Sequence, residues 1–302
     1  MAKRRKAYIL TKYNIRKMKR FIKKHPFASA LFALVLAVLV VFGAKTDEAP
    51  APMDGLNVHF IDVGQGDCEL VQCGEDFLLI DAGTPESGES VLRYLRSHGV
   101  KRLAYLVSSH GDSDHCGGLD TVIEAIPCEK VFISPYNEDK VSFRIFLEAV
   151  DAEGLTPTMP ELGESYTLGD AEFCFLAPGE DFGDNNENSL VLRLTYGETV
   201  FLFTGDIQRN AETALLDDGA DVKCDVLKIA HHGSNSSTSY RFLYEAEPKL
   251  AVISCGKGNS YGHPHEEVLS RLSDAEVTVY RTDTDGTVII HSDGKTAERS
   301  GT

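Results

Sequence analysis

The sequence predicts a mixed α/β protein in which sheets form a layered sandwich covered by helices. Three observations predict it. From Leu56 onward, short apolar runs with strand character come in two successive groups, each interleaved with helical spacing. Several of these runs stop at a Gly or at a cluster of His, Asp and Ser, where a scaffold presents reactive side chains. Hydrophobic content is 42% and charged content 25% over 302 residues, ordinary for a globular chain with a sizeable core in one large or two small domains.

The head of the chain is different. Residues 1–25 hold eleven of the 30 Lys and Arg and no acidic residue, so they are expected to form a basic tail that stays cytoplasmic. Residues 26–44 (PFASALFALVLAVLVVFGA) carry no charge. As a helix they reach about 28 Å, close to a bilayer core. The expectation is one transmembrane anchor, with a cleaved signal peptide and a secreted body as the alternative; the long basic stretch favours the anchor. Residues 45–55 (KTDEAPAPMDG) read as a linker. The body, 56–302, then lies outside the cytoplasmic membrane.

Within the body, LNVHFIDVG and FLLIDAG read as strands, and ESVLRYLRSHGV as a helix stopped at Gly99. KRLAYLVSSH is an apolar strand running into a polar cluster, and CGGLDTVIEAIP a helix ended by Pro127. KVFISPY is a strand and DKVSFRIFLEAVDAEG a helix. Then come β-rich segments, with Gly197-Glu198 as a hairpin turn between LVLRLTY and TVFLFTG. NAETALLDDG and EEVLSRLSDA are late helices, and VTVYRTDTDGTVIIHSDG is expected to close the chain as a hairpin.

Past residue 25 the chain carries 19 basic against 46 acidic residues. That balance opposes a broad nucleic-acid footprint, which normally uses Lys and Arg clusters. Bound divalent cations would offset part of it locally. The seven cysteines include no CxxC pair, so a structural zinc knuckle is not expected. Most sit in apolar runs and read as buried thiols, while Cys68 and Cys73 could pair across a short hairpin.

Four clusters carry chemistry. In SSHGDSDHCGG, His110, Asp112, Asp114 and His115 follow an apolar strand within six residues. Imidazole with carboxylate suits zinc, manganese or iron. Asp206, after TVFLFT, could complete or bridge a metal site. His231 and His232, after DVLKIA, can supply one ligand and one acid or base. The fourth is the loop Tyr261-Gly262-His263-Pro264-His265, which could contact a phosphate or donate a proton. Ser234, Ser236 and Ser237 offer donors to phosphate oxygens, or cap the helix TSYRFLYEA. His59, His98 and His291 read as structural.

LIDAG, H-x-D-x-D-H-x-GG, FTGD and a histidine strand end, in that order, resemble the metallo-β-lactamase superfamily. DVGQGD at 62–67, LKIAHHGSNSS, SYGHPH and YRTDTDGT narrow the resemblance to the extracytoplasmic domain of ComEC-type competence proteins, over about residues 56–292. It implies an αββα sandwich with the metal site at one edge between two sheets. It implies one site from Asp114, His115, Asp206 and either His231 or His232. A second would use His110 and Asp112 with Asp206 bridging, while Asp81 orients the loop from below. Two departures stand out: Asp112 occupies the superfamily's second-His position, and 184–189 (DNNENS) offers no third-motif His. The resemblance therefore implies one or two divalent ions, manganese or zinc, the second held weakly. Metal-activated attack on a phosphodiester, possible DNA included, is the expected reaction, with Asp114, His232 and His263 catalytic and Ser234 and His265 on substrate. The alternatives are a phosphocholine esterase or thioesterase of the same fold, or a non-catalytic module binding DNA or wall polymer.

Overall fold

The computed structural model describes residues 54–137 and 140–300. The basic tail, the apolar stretch 26–44 and nearly all of the linker lie outside the described residues. Among the described residues no helix is long and apolar enough to cross a membrane.

Fourteen strands form two sheets among the described residues. The first contains β1 (Leu56–Phe60), β2 (Glu69–Cys73), β3 (Asp76–Ile80), β4 (Leu103–Ser108), β5 (Cys128–Ile133), β13 (Val288–Ser292) and β14 (Ala297–Arg299), in the order β14-β13-β1-β2-β3-β4-β5. The second contains β6 (Ser165–Leu168), β7 (Ala171–Ala177), β8 (Val191–Tyr196), β9 (Thr199–Phe203), β10 (Val226–Lys228), β11 (Leu250–Ile253) and β12 (Thr278–Arg281), in the order β12-β11-β10-β9-β8-β7-β6. Each sheet joins an antiparallel meander to a parallel part: β3-β4-β5 in one and β9-β10-β11-β12 in the other. The helices are α1 (Gly88–Ser97), α2 (Ser113–Cys116), α3 (Leu119–Ile123), α4 (Val141–Ala152), α5 (Arg209–Asp217), α6 (Tyr240–Ala246), α7 (Glu266–Asp274) and α8 (Thr282–Asp285).

Side-chain alternation builds the layers. Leu78 and Ile80 of β3 face the other sheet, where Phe201 and Phe203 of β9 and Val252 of β11 meet them. Phe77 and Leu79 face the other way, onto Val91 and Leu95 of α1 and Phe146 of α4. On the second sheet Leu202, Leu227 and Ile253 point outward onto Leu215 of α5, Phe242 of α6 and Leu272 of α7. The result is the αββα sandwich. The Gly197-Glu198 turn joins β8 to β9 as the sequence predicts.

Two expectations are corrected. The final segment is no hairpin: β12 pairs parallel with β11, while β13 crosses to the other sheet and pairs with β1. The DTDG turn signal is real, but Thr282 ties it to the second sheet. Its hydroxyl accepts from Cys255 N at 2.9 Å and donates to Cys255 O at 3.0 Å. The closing hairpin is β13–β14 instead. Cys68 and Cys73 do not pair, and all seven thiols are free. The two cysteines stand an odd number of positions apart along extended chain, so they face opposite core layers.

Candidate metal centre

The C-terminal ends of β3, β4, β9, β10 and β11 meet at one edge of the sandwich. Asp81 follows β3, the loop 109–112 follows β4, and Asp206 follows β9. The pair His231-His232 follows β10, and the loop 254–265 follows β11. Two glycines permit the approach. Gly205 has φ +49°, and a Cβ there would lie 2.8 Å from the Ser189 side chain. Gly66 has φ +138° and packs on the Asp114 carbonyl, leaving no room for a Cβ and bringing Asp67 to the same edge.

Asp67, His115, Asp206 and His232 are buried, and one donor atom from each lies within 4.8 Å of the others. His115 Nε2 is 3.3 Å from Asp206 Oδ2, and His232 Nε2 is 3.5 Å from the same oxygen. Asp114 Oδ2 stands 3.4 Å from His232 Nε2. The ring of His110 lies 4.1 Å, centroid to centroid, from that of His115. On the far side of the rings the Nδ1 atoms are engaged. His115 Nδ1 meets Asp81 Oδ2 at 2.9 Å, and His232 Nδ1 meets Ser254 O at 3.0 Å. Asp81 also accepts from Ser109 N at 2.9 Å and Ser109 Oγ at 2.5 Å, which fixes the loop after β4.

The Nε2 atoms of His110, His115 and His232, with Asp206 Oδ1, are buried and hydrogen-bond to nothing among the described residues. Buried polar atoms are normally paired. Imidazole nitrogens and carboxylate oxygens gathered this way are lone-pair donors, and the set fits a divalent cation.

The electrostatics agree. Burial acts to raise the Asp206 carboxyl, but His115 and His232 hold it well below the usual carboxylate range. Burial acts to lower His232, yet Asp206, Asp67 and Asp114 push it up to about 10. Asp206 and Asp67 likewise outweigh burial and raise His115 well above the ordinary imidazole range. His263 goes the other way: burial and the neighbouring His232 and His231 bring it down to about 4. One cation is built in. Lys228 is buried, with Nζ 2.6 Å from Asp67 Oδ2 and donating to Ile229 O at 2.9 Å. Beside it, burial and Asp67 raise the Glu69 carboxyl well above its usual range.

Residues 61–257 match the family described as Metallo-beta-lactamase superfamily. The chain belongs to that superfamily. It is 31% identical over 296 residues to ComE operon protein 3 of Bacillus subtilis (strain 168), covering 89% of this chain and 36% of that protein. It is 32% identical over 262 residues to Competence protein ComA of Neisseria gonorrhoeae, covering 83% of this chain and 34% of that protein. These relatives are ComEC-type competence proteins, and the chain spans about a third of their length. Among solved structures, the metallo-beta-lactamase fold protein YhfI from Bacillus subtilis superposes with a TM-score of 0.50 at 15% identity, over 76% of this chain and 96% of that one. That likeness concerns the fold.

Within this metallo-β-lactamase fold the residues singled out in the sequence separate by depth. His115, Asp206 and His232 lie at the centre, with Asp114 and His110 against them. His231 sits at the rim: its side chain is 22% exposed, with Nε2 3.8 Å from Asp206 Oδ2 and 3.5 Å from Asn186 Nδ2. Asp112 turns outward. Its Oδ1 accepts from Asn185 Nδ2 at 2.6 Å and lies 3.6 Å from Lys140 Nζ, while Oδ2 is 4.0 Å from His110 Nε2. The stretch 184–189 thus approaches the centre with amides. Ser189 Oγ bridges inward, 3.3 Å from His110 Nδ1 and accepting from Asp206 N at 3.1 Å. Ser234 is buried and bonds Ser236 Oγ at 2.9 Å; His265 Nδ1 accepts from Asn235 N at 3.0 Å. The helix cap is Ser239, which accepts from Phe242 N at 3.2 Å, rather than any of the three serines before it. Asp67 and Lys228 are additions that residue spacing did not reveal. Asp67 ends the DVGQGD motif, and Lys228 is the one charge in VLKIA.

Proposed function

We propose that the chain is a metal-dependent phosphodiesterase of the ComEC type, tethered by residues 26–44 to the cytoplasmic membrane with its body outside. The observation that carries the reading is the convergence on Asp206 of two buried imidazoles, His115 and His232, whose Nε2 atoms, like that of neighbouring His110, hydrogen-bond to nothing among the described residues. Manganese or zinc suits these donors. When bound, such an ion supplies Lewis acidity toward a phosphoryl oxygen and a nucleophile at neutral pH. The chain's own residues supply position. Asp81 and the Ser254 carbonyl fix the ring orientation of His115 and His232, so both present Nε2. Asp114 and Asp206 stand beside those nitrogens. His263, neutral at physiological pH, serves as a proton acceptor at the rim. A second ion at His110 and Asp112 would compete with Asn185 and Lys140 for Asp112, which favours weak occupancy there. A nucleic-acid substrate is supported by relatives named for competence and, in Haemophilus influenzae, Recombination protein 2.

The test is direct. The purified protein with manganese should hydrolyse bis(p-nitrophenyl) phosphate in preference to phosphocholine esters and thioesters. Asp206→Asn should lower kcat/KM by more than about a hundredfold, beyond the cost of losing a residue that merely supports a ligand. Undiminished hydrolysis by that variant would overturn the proposal.

A further inference from the structure

The loop between β11 and α7 is shaped from within by one side chain. Asn259 Nδ2 donates to Gly256 O at 2.9 Å and to His263 O at 2.6 Å, while its Oδ1 accepts from Tyr261 N at 3.1 Å and His263 N at 3.0 Å. Four hydrogen bonds to a single amide hold the loop in one form, so its side chains are presented at set angles. His263 lies against the candidate metal centre, with ring centroids 5.6 Å from His231 and 6.1 Å from His232. Tyr261 lies nearly parallel to His263, at 5.6 Å and 21°.

Tyr261 is 65% exposed. Single exposed apolar residues are ordinary, but this one differs from its fellows. Tyr240, also exposed, donates to Asp274 at 2.8 Å and lies beneath Arg271. Tyr261 packs on a ring of the site, and its hydroxyl makes no hydrogen bond among the described residues. A rigid aromatic face therefore stands open at the rim of the centre.

We infer that Tyr261, backed by His263, is a stacking platform for a nucleobase flanking the phosphodiester of a single-stranded nucleic acid. The inference rests on the phosphodiesterase reading above and names its substrate class. A base inside a duplex has both faces covered by its neighbours, whereas an unpaired base has a free face to offer. Charge points the same way. Beyond residue 25 the chain has 46 acidic against 19 basic residues, so phosphate attraction away from the centre is weak and uncharged contact is the remaining source of affinity there. Stacking supplies that contact without reading sequence.

The experiment measures binding and cleavage separately, in manganese. Binding is read by anisotropy of a labelled phosphorothioate oligothymidylate and of an abasic strand of equal length. Tyr261→Ala should weaken the oligothymidylate by about 5- to 150-fold. Tyr261→Phe should stay within about twofold of wild type, and the abasic strand should bind wild type and Tyr261→Ala alike. The platform is overturned if Tyr261→Ala binds oligothymidylate as tightly as wild type, if both strands weaken equally, or if wild type binds neither. Cleavage of the unmodified oligothymidylate is scored in the same buffer. Base-dependent binding without cleavage would sink the phosphodiesterase reading and leave the platform standing; cleavage without base dependence would do the reverse.

Discussion

Lys228→Met removes a fully buried ammonium beside the candidate centre, and two opposed effects decide its outcome. Lys228 Nζ is 2.6 Å from Asp67 Oδ2, with both side chains at most 2% exposed. At an effective dielectric constant near 20, that separation corresponds to a Coulomb attraction of about 6 kcal/mol. Desolvation of the two ions takes back much of it, but removing only one partner leaves Asp67 buried with His232 Nδ1 at 3.2 Å and His115 Nδ1 at 3.9 Å as its remaining positive neighbours, at a cost of up to about 3–5 kcal/mol. For a domain of this size each kcal/mol is worth about 2–4 °C, so the melting temperature should fall by up to about 6–20 °C. The melt is followed by far-ultraviolet circular dichroism, since the chain has no Trp. It is run in EDTA so that metal binding contributes nothing. Adding Asp67→Asn to Lys228→Met removes the orphaned charge and should recover most of the loss. A single-variant cost below about 1 kcal/mol, or a double variant no more stable than the single, would refute the view that Lys228 neutralises Asp67.

Two further outcomes follow from titration. His59 is buried beneath Tyr94, and burial together with nearby His98 lowers it from 6.5 to about 3. The unfolded chain therefore takes up this proton first, and stability present above pH 6.5 drains away as pH falls toward about 3. By pH 5 the loss from this group is about 2 kcal/mol, and urea titrations of His59→Gln should show an acid limb flatter by that amount. At the centre, the neighbouring carboxylates raise His232 to about 10 and His115 well above the ordinary imidazole range in the metal-free protein, and an imidazole must be deprotonated to coordinate. Manganese binding near pH 7.5 should release at least the His232 proton and tighten as pH rises, read by calorimetry in buffers of different ionisation enthalpy; pH-independent affinity would contradict the assignment.

The sandwich was legible because burial on both sheet faces leaves continuous apolar runs such as FLLI and VFLF, which no exposed strand would show. Its last step was not. DTDG looks like a hairpin turn, and only the Thr282 hydroxyl bonded to Cys255 reveals that the chain changes sheets there. The HGDSDH loop was legible because its donors are crowded into six residues. Asp67 was not, since its place depends on the register of β2 and on Gly66 packing against Asp114. Lys228 misleads in sequence for a physical reason. A lysine is almost never fully buried unless paired, and its partner lies in the loop that leads into β2 of the opposite sheet.

That pairing bears on how many ions the proposed site would hold. Asp67, Asp81, Asp112, Asp114 and Asp206 bring five carboxylates to one edge, and Lys228 answers Asp67 with its ammonium. In the metal-free protein these carboxylates raise His232 to about 10 and His115 well above the ordinary imidazole range, so both rings favour their protonated forms. A single divalent cation takes the place of that protonation. A second ion would add two further positive charges. The groups left to receive it are His110, which burial and His115 hold in the neutral form, and Asp112, already engaged by Asn185 and facing Lys140. The weakness expected of the second position therefore has a cause beyond the histidines absent from 112 and 184–189: Lys228 already stands, permanently and without exchange, for part of the charge that another metal would bring.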